Sequence, residues 1–198
     1  MTDVLVTARL CLRELVPDDL DFVAGMLADP RVSQFYPKRF DREDARDWID
    51  RQIARYAQEG HGLWLVSERA TGRPVGQVGL LLQKVEGVPE PEMAWLLPRQ
   101  CWGNGYATEA AAATRQAAFS RWSYLHVVAL IRPDNAQSRR VADRLGMTLE
   151  REVWREGFRH LVYRSLAPAP EQRARRGVVR QAGPMWLQDP ASREDTGA

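Results

Sequence analysis

A glycine-containing turn between a strand-like run and an alanine-rich helix is the feature of this sequence best suited to bind an anion. Its two glycines, Gly103 and Gly105, carry no Cβ atom, so successive N–H groups of the turn can point into one hollow without steric penalty. The helix that follows adds unpaired N–H groups and about half a unit of positive charge at its first turn. These properties predict a binding site for a pyrophosphate.

Two well-known phosphate-binding loops are excluded by the residues around these glycines. A Walker loop requires a Lys followed by Ser or Thr after its last glycine, whereas Tyr106 and Ala107 follow Gly105. A dinucleotide-binding fingerprint requires a third glycine, whereas Thr108 occupies that position. The turn is therefore of another type, which its flanking residues must identify.

The flanking residues resemble those of one family of transferases. The run Gln-x-x-Gly-x-Gly-Tyr-Ala-Thr-Glu-Ala at residues 100–110 resembles the acetyl-coenzyme A (acetyl-CoA) loop of the GNAT family of N-acetyltransferases, and it is most similar to that of the RimJ/RimL-like branch. Three further segments, at residues 7–19, 92–98 and 135–147, resemble the same branch in the same order. The resemblance extends over about residues 4 to 166.

The resemblance implies both substrates and the residues that contact one of them. Acetyl-CoA would be the co-substrate, and a primary amine, either a protein N-terminus or a small molecule, would accept the acetyl group. The implied coenzyme contacts lie on the strand before the turn, in the turn and at a later helix start, at Ala94, Leu96, Leu97, Gln100, Cys101, Trp102, Gly103, Asn104, Gly105, Tyr106, Ala107, Thr108, Asn135 and Ser138.

Two residues are candidates for a role in the acyl transfer itself. The attacking amine must be neutral, which a nearby carboxylate can ensure as general base, directly or through a water molecule, and the resemblance places Glu92 at that position. The family's usual tyrosine, which assists the departing thiolate, is replaced by Ala142, and Ser138 resembles the hydroxyl that RimL-like members use instead. The alternatives are that Glu92 is a solvated residue at a strand end and that Ser138 only begins its helix.

The spacing of apolar residues predicts the elements that must hold this turn in place. The patterns predict seven strands, at residues 9–13, 63–67, 75–82, 92–97, 125–131, 149–154 and 159–165, with a Pro- and Gly-rich loop before the fourth. They also predict four helices, the last one capped by Asp134 and Gln137. The resemblance implies an α/β fold of the GNAT type, with a mostly antiparallel central sheet, a splayed pair formed by the fourth and fifth strands, and flanking helices.

Composition sets the outer limits of the interpretation. A chain of 198 residues with 44% apolar content has the size of one domain, which we place at residues 1–166, followed by a Pro- and Arg-rich tail at 167–198. No run of 18 apolar residues and no signal-like start is present, so a cytoplasmic location without membrane contact is expected. The net charge of +2 is spread along the chain, which disfavours a nucleic-acid partner, and the Cys and His residues lack metal-ligand spacing, so no metal is expected.

Several alternatives stay open at the level of the sequence. An acetyltransferase for antibiotics or polyamines is one alternative to an enzyme that acts on protein N-termini. A non-catalytic CoA-binding sensor or scaffold with the same fold is another, because the usual tyrosine is absent. The sequence also leaves open whether the chain is a monomer or a homodimer and whether the tail is ordered.

Overall fold

The chain forms one eight-stranded sheet in a computed structural model, which describes residues 3–169. The strands are β1 Asp3–Val6, β2 Leu10–Arg13, β3 Leu63–Glu68, β4 Pro74–Val85, β5 Val88–Leu96, β6 His126–Ile131, β7 Thr148–Arg155 and β8 Phe158–Leu166. Their order across the sheet is β1-β2-β3-β4-β5-β6-β8-β7, and every neighbouring pair is antiparallel except β5 and β6. The predicted α/β class and mostly antiparallel sheet are confirmed, with one strand more than predicted because the short β1 pairs with β2.

Helices flank the sheet on both faces. They are α1 Leu20–Ala28, α2 Pro30–Ser33, α3 Arg42–Glu59, α4 Tyr106–Ser120 and α5 Ala136–Arg144. Helix α3 begins at Asp41, whose carboxylate accepts a hydrogen bond from the N–H of Asp44 at 2.8 Å. The cap of α5 is Asn135, whose Oδ1 accepts from the N–H of Ser138 at 3.0 Å. The predicted cap at Asp134 was wrong because the helix begins one residue later.

Two separate apolar layers fix the helices to the sheet. On one face, α4 packs against β2, β4 and β5 through small side chains, and Ala110, Ala111 and Ala118 are fully buried there. On the other face, α1 and α3 pack around Leu65 of β3. Because the side chains of α4 are so small, the helix lies close to the strands, and its first turn is held in a fixed position relative to β5.

The parallel strands β5 and β6 separate soon after they meet. Their register contains one pair, Glu92 with Val128, and β5 continues beyond it to Leu96 without a partner in β6. This pair is the predicted splayed pair; it is formed by the fifth and sixth strands because β1 precedes the others. The gap leaves backbone N–H and C=O groups of β5 facing an open space.

The hairpin between β4 and β5 corrects one prediction. The Pro- and Gly-rich segment predicted as a loop belongs to both strands, since β4 continues to Val85 and β5 begins at Val88. Leu82 donates its N–H to Glu59 Oε2 at 3.3 Å and so does not direct it towards β5. Its register partner Pro91 therefore occupies a position where β4 requires no N–H from β5, and proline is tolerated there.

The C-terminal tail falls largely outside the described residues. Strand β8 ends at Leu166, and the description ends at residue 169, so the tail at 167–198 and the domain boundary before it stay predictions. Within residues 3–169, no helix has the length and apolar character needed to cross a membrane.

Candidate active site

A cleft of about 850 Å³ opens where β5 and β6 separate. The glycine turn and the starts of α4 and α5 lie at one end of it, and a face of α3 and the β7–β8 hairpin lie at the other. Most of the predicted site residues line this one space: Glu92, Ala94, Leu96, Leu97, Cys101, Trp102, Gly103, Gly105, Tyr106, Ala107, Thr108, Asn135 and Ser138. Gln100 and Asn104 do not line it.

The glycine turn has the backbone geometry that an anion-binding hollow needs. Gly103 and Gly105 have φ values of +81° and +78°, in the left-handed region that side chains with a Cβ atom rarely adopt. A Cβ added at Gly103 would meet no atom within 4 Å. The first hydrogen bond of α4 runs from the N–H of Glu109 to the carbonyl of Gly105 at 3.0 Å, so the N–H groups of residues 106–108 have no partner within the helix.

An arginine of the N-terminal hairpin ties this turn to the rest of the domain. Arg9 Nη1 donates to the carbonyl of Asn104 at 3.1 Å, and Arg9 Nε donates to Glu109 Oε2 at 2.6 Å. Thr7 adds a hydrogen bond from its hydroxyl to the other oxygen of Glu109 at 2.6 Å. The turn is therefore held from outside the cleft, so its N–H groups do not need a ligand to keep their places.

Hydrogen bonds within the turn explain why one predicted coenzyme contact lies elsewhere. The side-chain N–H groups of Asn104 donate to the carbonyls of Cys101 and Trp102, each at 3.3 Å. The indole N–H of Trp102 donates to the carbonyl of Leu97 at 2.7 Å. Asn104 therefore stabilises the turn, while Gln100 is exposed.

The candidate hydroxyl, Ser138, is held by two groups that leave its proton available. Trp95 donates its indole N–H to Ser138 Oγ at 3.2 Å, and Asn135 accepts the backbone N–H of Ser138. No acceptor for the hydroxyl hydrogen is found within residues 3–169. Ala142, which stands in place of the family's usual tyrosine, is fully buried and does not line the cleft.

Glu92 is a buried carboxylate whose Oε2 makes an ion-pair contact but no hydrogen bond within residues 3–169. It is 9% exposed, and among the described residues its Oε2 has no hydrogen-bond partner. Arg155 Nη1 lies 3.5 Å from this oxygen, an ion-pair distance without hydrogen-bond geometry. Burial raises the pKa of Glu92 to about 7, against the opposing charges of Arg155 and Arg55. Near neutral pH, Glu92 is thus able both to accept and to release a proton.

One face of α3 completes the far end of the cleft. Trp48, Arg51, Gln52 and Arg55 all line it, at spacings of three and four residues that place them on one side of the helix. The ring of Trp48 packs edge-on against those of Tyr36 and Phe40, with centroids 5.9 Å apart in both pairs. This end therefore combines an aromatic wall with cationic side chains.

Comparison with known proteins decides the family. The family model described as an acetyltransferase (GNAT) domain matches residues 9–148, which is most of the chain. The chain belongs to the GNAT acetyltransferase family. As a member of this family, it is an acetyl-transferring enzyme, as predicted from the resemblance.

Individual proteins support this assignment. This GNAT enzyme is 33% identical over 150 residues to the uncharacterized protein YkkB of Bacillus subtilis (strain 168), covering 75% of this chain and 87% of YkkB. It is also 33% identical to an acetyltransferase from Agrobacterium tumefaciens str. C58 whose crystal structure is known, with a TM-score of 0.73 and coverage of 82% and 94% of the two chains. RimL, a ribosomal L7/L12 α-N-protein acetyltransferase solved with coenzyme A, shares the fold at 16% identity, with a TM-score of 0.69 over 83% of this chain and 98% of RimL.

The residues of this GNAT domain fit the acetyl-CoA that the family uses. At Gly103 the turn leaves open space where a Cβ atom would otherwise project, and the helix behind it offers free N–H groups. The unpaired backbone of β5 faces the same cleft and suits the amide groups of a pantetheine arm. Within residues 3–169, no group of three or more His, Cys, Asp or Glu residues is arranged to hold a metal ion.

Four residues of this GNAT site were missed by the sequence analysis. Trp95 lies in the segment that resembles the family, but its contact with α5 spans 43 residues. Arg51 and Arg55 lie on α3, to which the sequence assigned no part of the site. Arg155 lies at the end of β7. The spacing of Arg51 and Arg55 is visible in the sequence, whereas their position opposite Glu92 depends on how distant elements pack.

Proposed function

We propose that this enzyme transfers the acetyl group of acetyl-CoA directly to a primary amine while both substrates are bound. The observation that carries the proposal is the buried Glu92 oxygen that lacks a hydrogen bond among the described residues, which lies in the same cleft as the glycine turn. A buried carboxylate with a pKa near 7 costs the protein stability, and such groups are concentrated at functional sites, where they accept or release protons. RimL, which shares the fold, is described as acting on a protein α-amine, which supports an amine acceptor here.

The end of the cleft around the glycine turn would hold the coenzyme. The N–H groups of the turn and of the first turn of α4 would bind the pyrophosphate, and the β5 backbone at Trp95, which by the register faces away from β4 and has no partner in β6, would bind the pantetheine arm. Arg140 and Arg144 of α5 line the cleft and, among the described residues, have no ion-pair partner, so their charge is available to a further phosphate.

The task of Glu92 follows from the charge of the amine. At pH 7, deprotonating an α-amine with a pKa near 8 costs about 1.4 kcal/mol, whereas deprotonating a lysine near 10.4 costs about 4.6 kcal/mol. A base with a pKa near 7 accepts the first of these protons with little penalty, directly or through a water molecule. An α-amine acceptor therefore suits this site better than a lysine side chain does.

The proposed reaction proceeds without a covalent enzyme intermediate. The amine nitrogen attacks the thioester carbonyl, its proton passes to Glu92, and the C–S bond breaks as the tetrahedral intermediate collapses. Ser138, whose oxygen is held by Trp95, donates a hydrogen bond or a proton to the departing sulfur. Solvent then returns any proton that the hydroxyl has lost. Holding the two substrates in register contributes more to the rate than any single proton transfer does.

A labelling experiment tests this function. Incubation with radiolabelled acetyl-CoA alone should leave no label on the protein, and addition of an accepted amine should release one CoA for each amide formed. Calorimetric titration with CoA should detect binding in parallel. A stable acetyl-protein would contradict direct transfer, and the absence of any heat with CoA would contradict the coenzyme site itself.

Replacing Ser138 by Ala should lower kcat about tenfold without changing the KM of the amine, because the hydroxyl acts on the leaving sulfur. Threonine at this position keeps a hydroxyl and should restore most of the rate. Steady-state kinetics with both substrates varied would measure the two effects. Equal loss in the Ala and Thr variants would show that Ser138 has only a structural part at the start of α5.

Replacing Arg155 by Met should move the acid limb of the rate profile to higher pH by about one unit, because the cation that stabilises ionised Glu92 is removed. Lysine at this position should keep most of the original profile. Arg159→Met is the matched control, since Arg159 follows in the same hairpin but pairs with Glu152. An unshifted profile in Arg155→Met would separate Arg155 from proton transfer.

A further inference from the structure

We propose that the acceptor carries a carboxylate close to its amine and that Arg51 and Arg55 bind this carboxylate. This inference rests on the proposed function and adds the class of acceptor to it. Two sources share this chemistry: an acidic residue near a protein N-terminus, and a small amino acid that carries its own carboxylate. In both, a negative charge lies a few bonds from the nitrogen that attacks the thioester.

The two arginines lie together at the end of the cleft formed by α3 and the β7–β8 hairpin. They are four residues apart on α3, one turn of the helix, and so project from the same side. Both line the cleft, and Arg55 is near enough to Glu92 that its charge lowers the pKa of that carboxyl against the effect of burial. A group bound by Arg51 and Arg55 thus lies beside the base that receives the proton.

These arginines form no direct ion pair within the described part of the chain, although the charge of Arg55 acts on Glu92 and that of Arg51 on Asp44. Other cations that line the same end have carboxylate partners: Arg31 pairs with Asp29 at 3.2 Å, Lys38 with Asp44, and Arg155 with Glu92 and Glu156. No ion pair is formed by Arg51 or Arg55 within residues 3–169. Two guanidinium groups that form no ion pair of their own can donate several charge-assisted hydrogen bonds to a carboxylate.

These arginines are separate from the site proposed for the coenzyme phosphates. Helix α3 packs on the face of the sheet opposite to α4, whose first turn belongs to the glycine turn. The coenzyme end has its own unpaired cations, Arg140 and Arg144. The positive charge on α3 therefore serves the second substrate.

The same charge disfavours polycationic acceptors. Aminoglycosides and polyamines would bring several ammonium groups towards Arg51 and Arg55, where like charges repel. For a single amine, the nearby guanidinium groups favour the neutral form that attacks the thioester. The cleft therefore selects an amine whose other charge is negative.

A panel of matched acceptors tests the inference. Peptides with a free N-terminus would carry Glu, Gln or Lys at the second and third positions, and a small-molecule arm would compare glycine with glycinamide, which lacks the carboxylate, and with spermidine. Acetyl transfer would be measured as kcat/KM, and binding of each acceptor by calorimetry, in the parent enzyme and in Arg51→Gln/Arg55→Gln. Arg46→Gln is the control, because Arg46 is an exposed residue of α3 that does not line the cleft.

The expected result is a preference of about 100-fold for acidic over neutral acceptors, roughly tenfold for each charge-assisted contact. The double variant should lose this preference and keep its affinity for CoA, whereas Arg46→Gln should keep both. Charge reversal in Arg51→Glu/Arg55→Glu should favour the lysine peptides, which shows that α3 remains folded. The peptide and small-molecule arms identify which source of carboxylate is used.

Equal use of the Glu and Lys peptides by the parent enzyme, or equal loss for all acceptors in the double variant, would overturn the inference. Preference for spermidine would overturn it as well. These results leave amine acetylation intact and so differ from failure of the proposed function, which would appear as absent CoA binding. In that case the calorimetric binding of acidic and basic peptides still decides whether Arg51 and Arg55 form an anion site.

Discussion

Replacing Glu92 by Gln should lower kcat for acetyl transfer about 100-fold at pH 7, because the base that accepts the amine proton is lost. Raising the pH should restore part of the rate, since a larger fraction of the free amine is then neutral without assistance. The acid limb expected near pH 7 for the parent enzyme should disappear in the variant. Initial rates between pH 5.5 and 9.5 with saturating acetyl-CoA would measure both effects.

The same substitution should make the protein more stable. Burial raises the pKa of Glu92 from 4.5 to about 7, so the folded state holds a proton that the unfolded state releases within this interval. The parent's stability is fully present below about pH 4.5 and declines as the pH rises towards 7. The neutral amide avoids this loss, so the variant should gain about 2 kcal/mol in free energy of unfolding at pH 8 and little at pH 4.5.

An exposed glutamate of the same sheet provides the control. Glu152 lies on β7 and pairs with Arg159 at the surface, and Glu152→Gln should change neither the rate profile nor the pH dependence of unfolding. Denaturant titrations at pH 4.5 and 8 would compare the three proteins. A Glu92→Gln enzyme with the parent's rate profile would remove Glu92 from the mechanism, even if its stability had increased.

Replacing Gly105 by Val should weaken the binding of CoA about 100-fold or more. A β-branched residue is strained at a φ of +78°, so the turn must change its backbone conformation, and its N–H groups then no longer converge on one point. Because a Cβ atom at this position would lie 3.5 Å from Arg9 Nη2, an ordinary contact, the effect arises from the backbone rather than from a clash. Calorimetric titration with CoA would measure it.

A second glycine separates loss of the site from loss of stability. Gly72 has a φ of +71° in the turn between β3 and β4, and a Cβ atom there would meet nothing within 4 Å. Gly72→Val should therefore cost similar stability and leave CoA affinity unchanged. Gly105→Asn should recover part of the affinity, because Asn tolerates this conformation better. Equal weakening by the two Val substitutions would contradict a specific role for the glycine turn.

Much of the fold was predictable because its signals are local. Asp41 caps the start of α3 and Gly60 caps its end, each directly beside the helical turn that it stabilises. The glycine turn was predictable for the same reason. In contrast, Pro91 suggested a loop, since its tolerance in β5 depends on the direction of one N–H group in the neighbouring strand.

The candidate site was predictable only where family motifs contain it. Glu92 was placed by the resemblance, but the ion-pair contact of its Oε2 comes from Arg155, which lies 63 residues further along the chain. In the sequence, Arg51 and Arg55 resemble residues of an ordinary solvent-exposed helix face. Their importance arises from tertiary packing, which brings α3 and the β7–β8 hairpin to the same end of the cleft.

The single register pair between β5 and β6 also has a mechanical consequence. Strands β1–β5 and strands β6–β8 are joined by this one pair, and the proposed substrate cleft lies between the two parts of the sheet. A ligand bound across this cleft replaces missing contacts between the two parts of the sheet. Binding should therefore stabilise the whole sheet as well as the loops that contact the ligand. Amide hydrogen exchange in β6 and β8, measured with and without CoA, would then report how tightly the two parts of the sheet are held together.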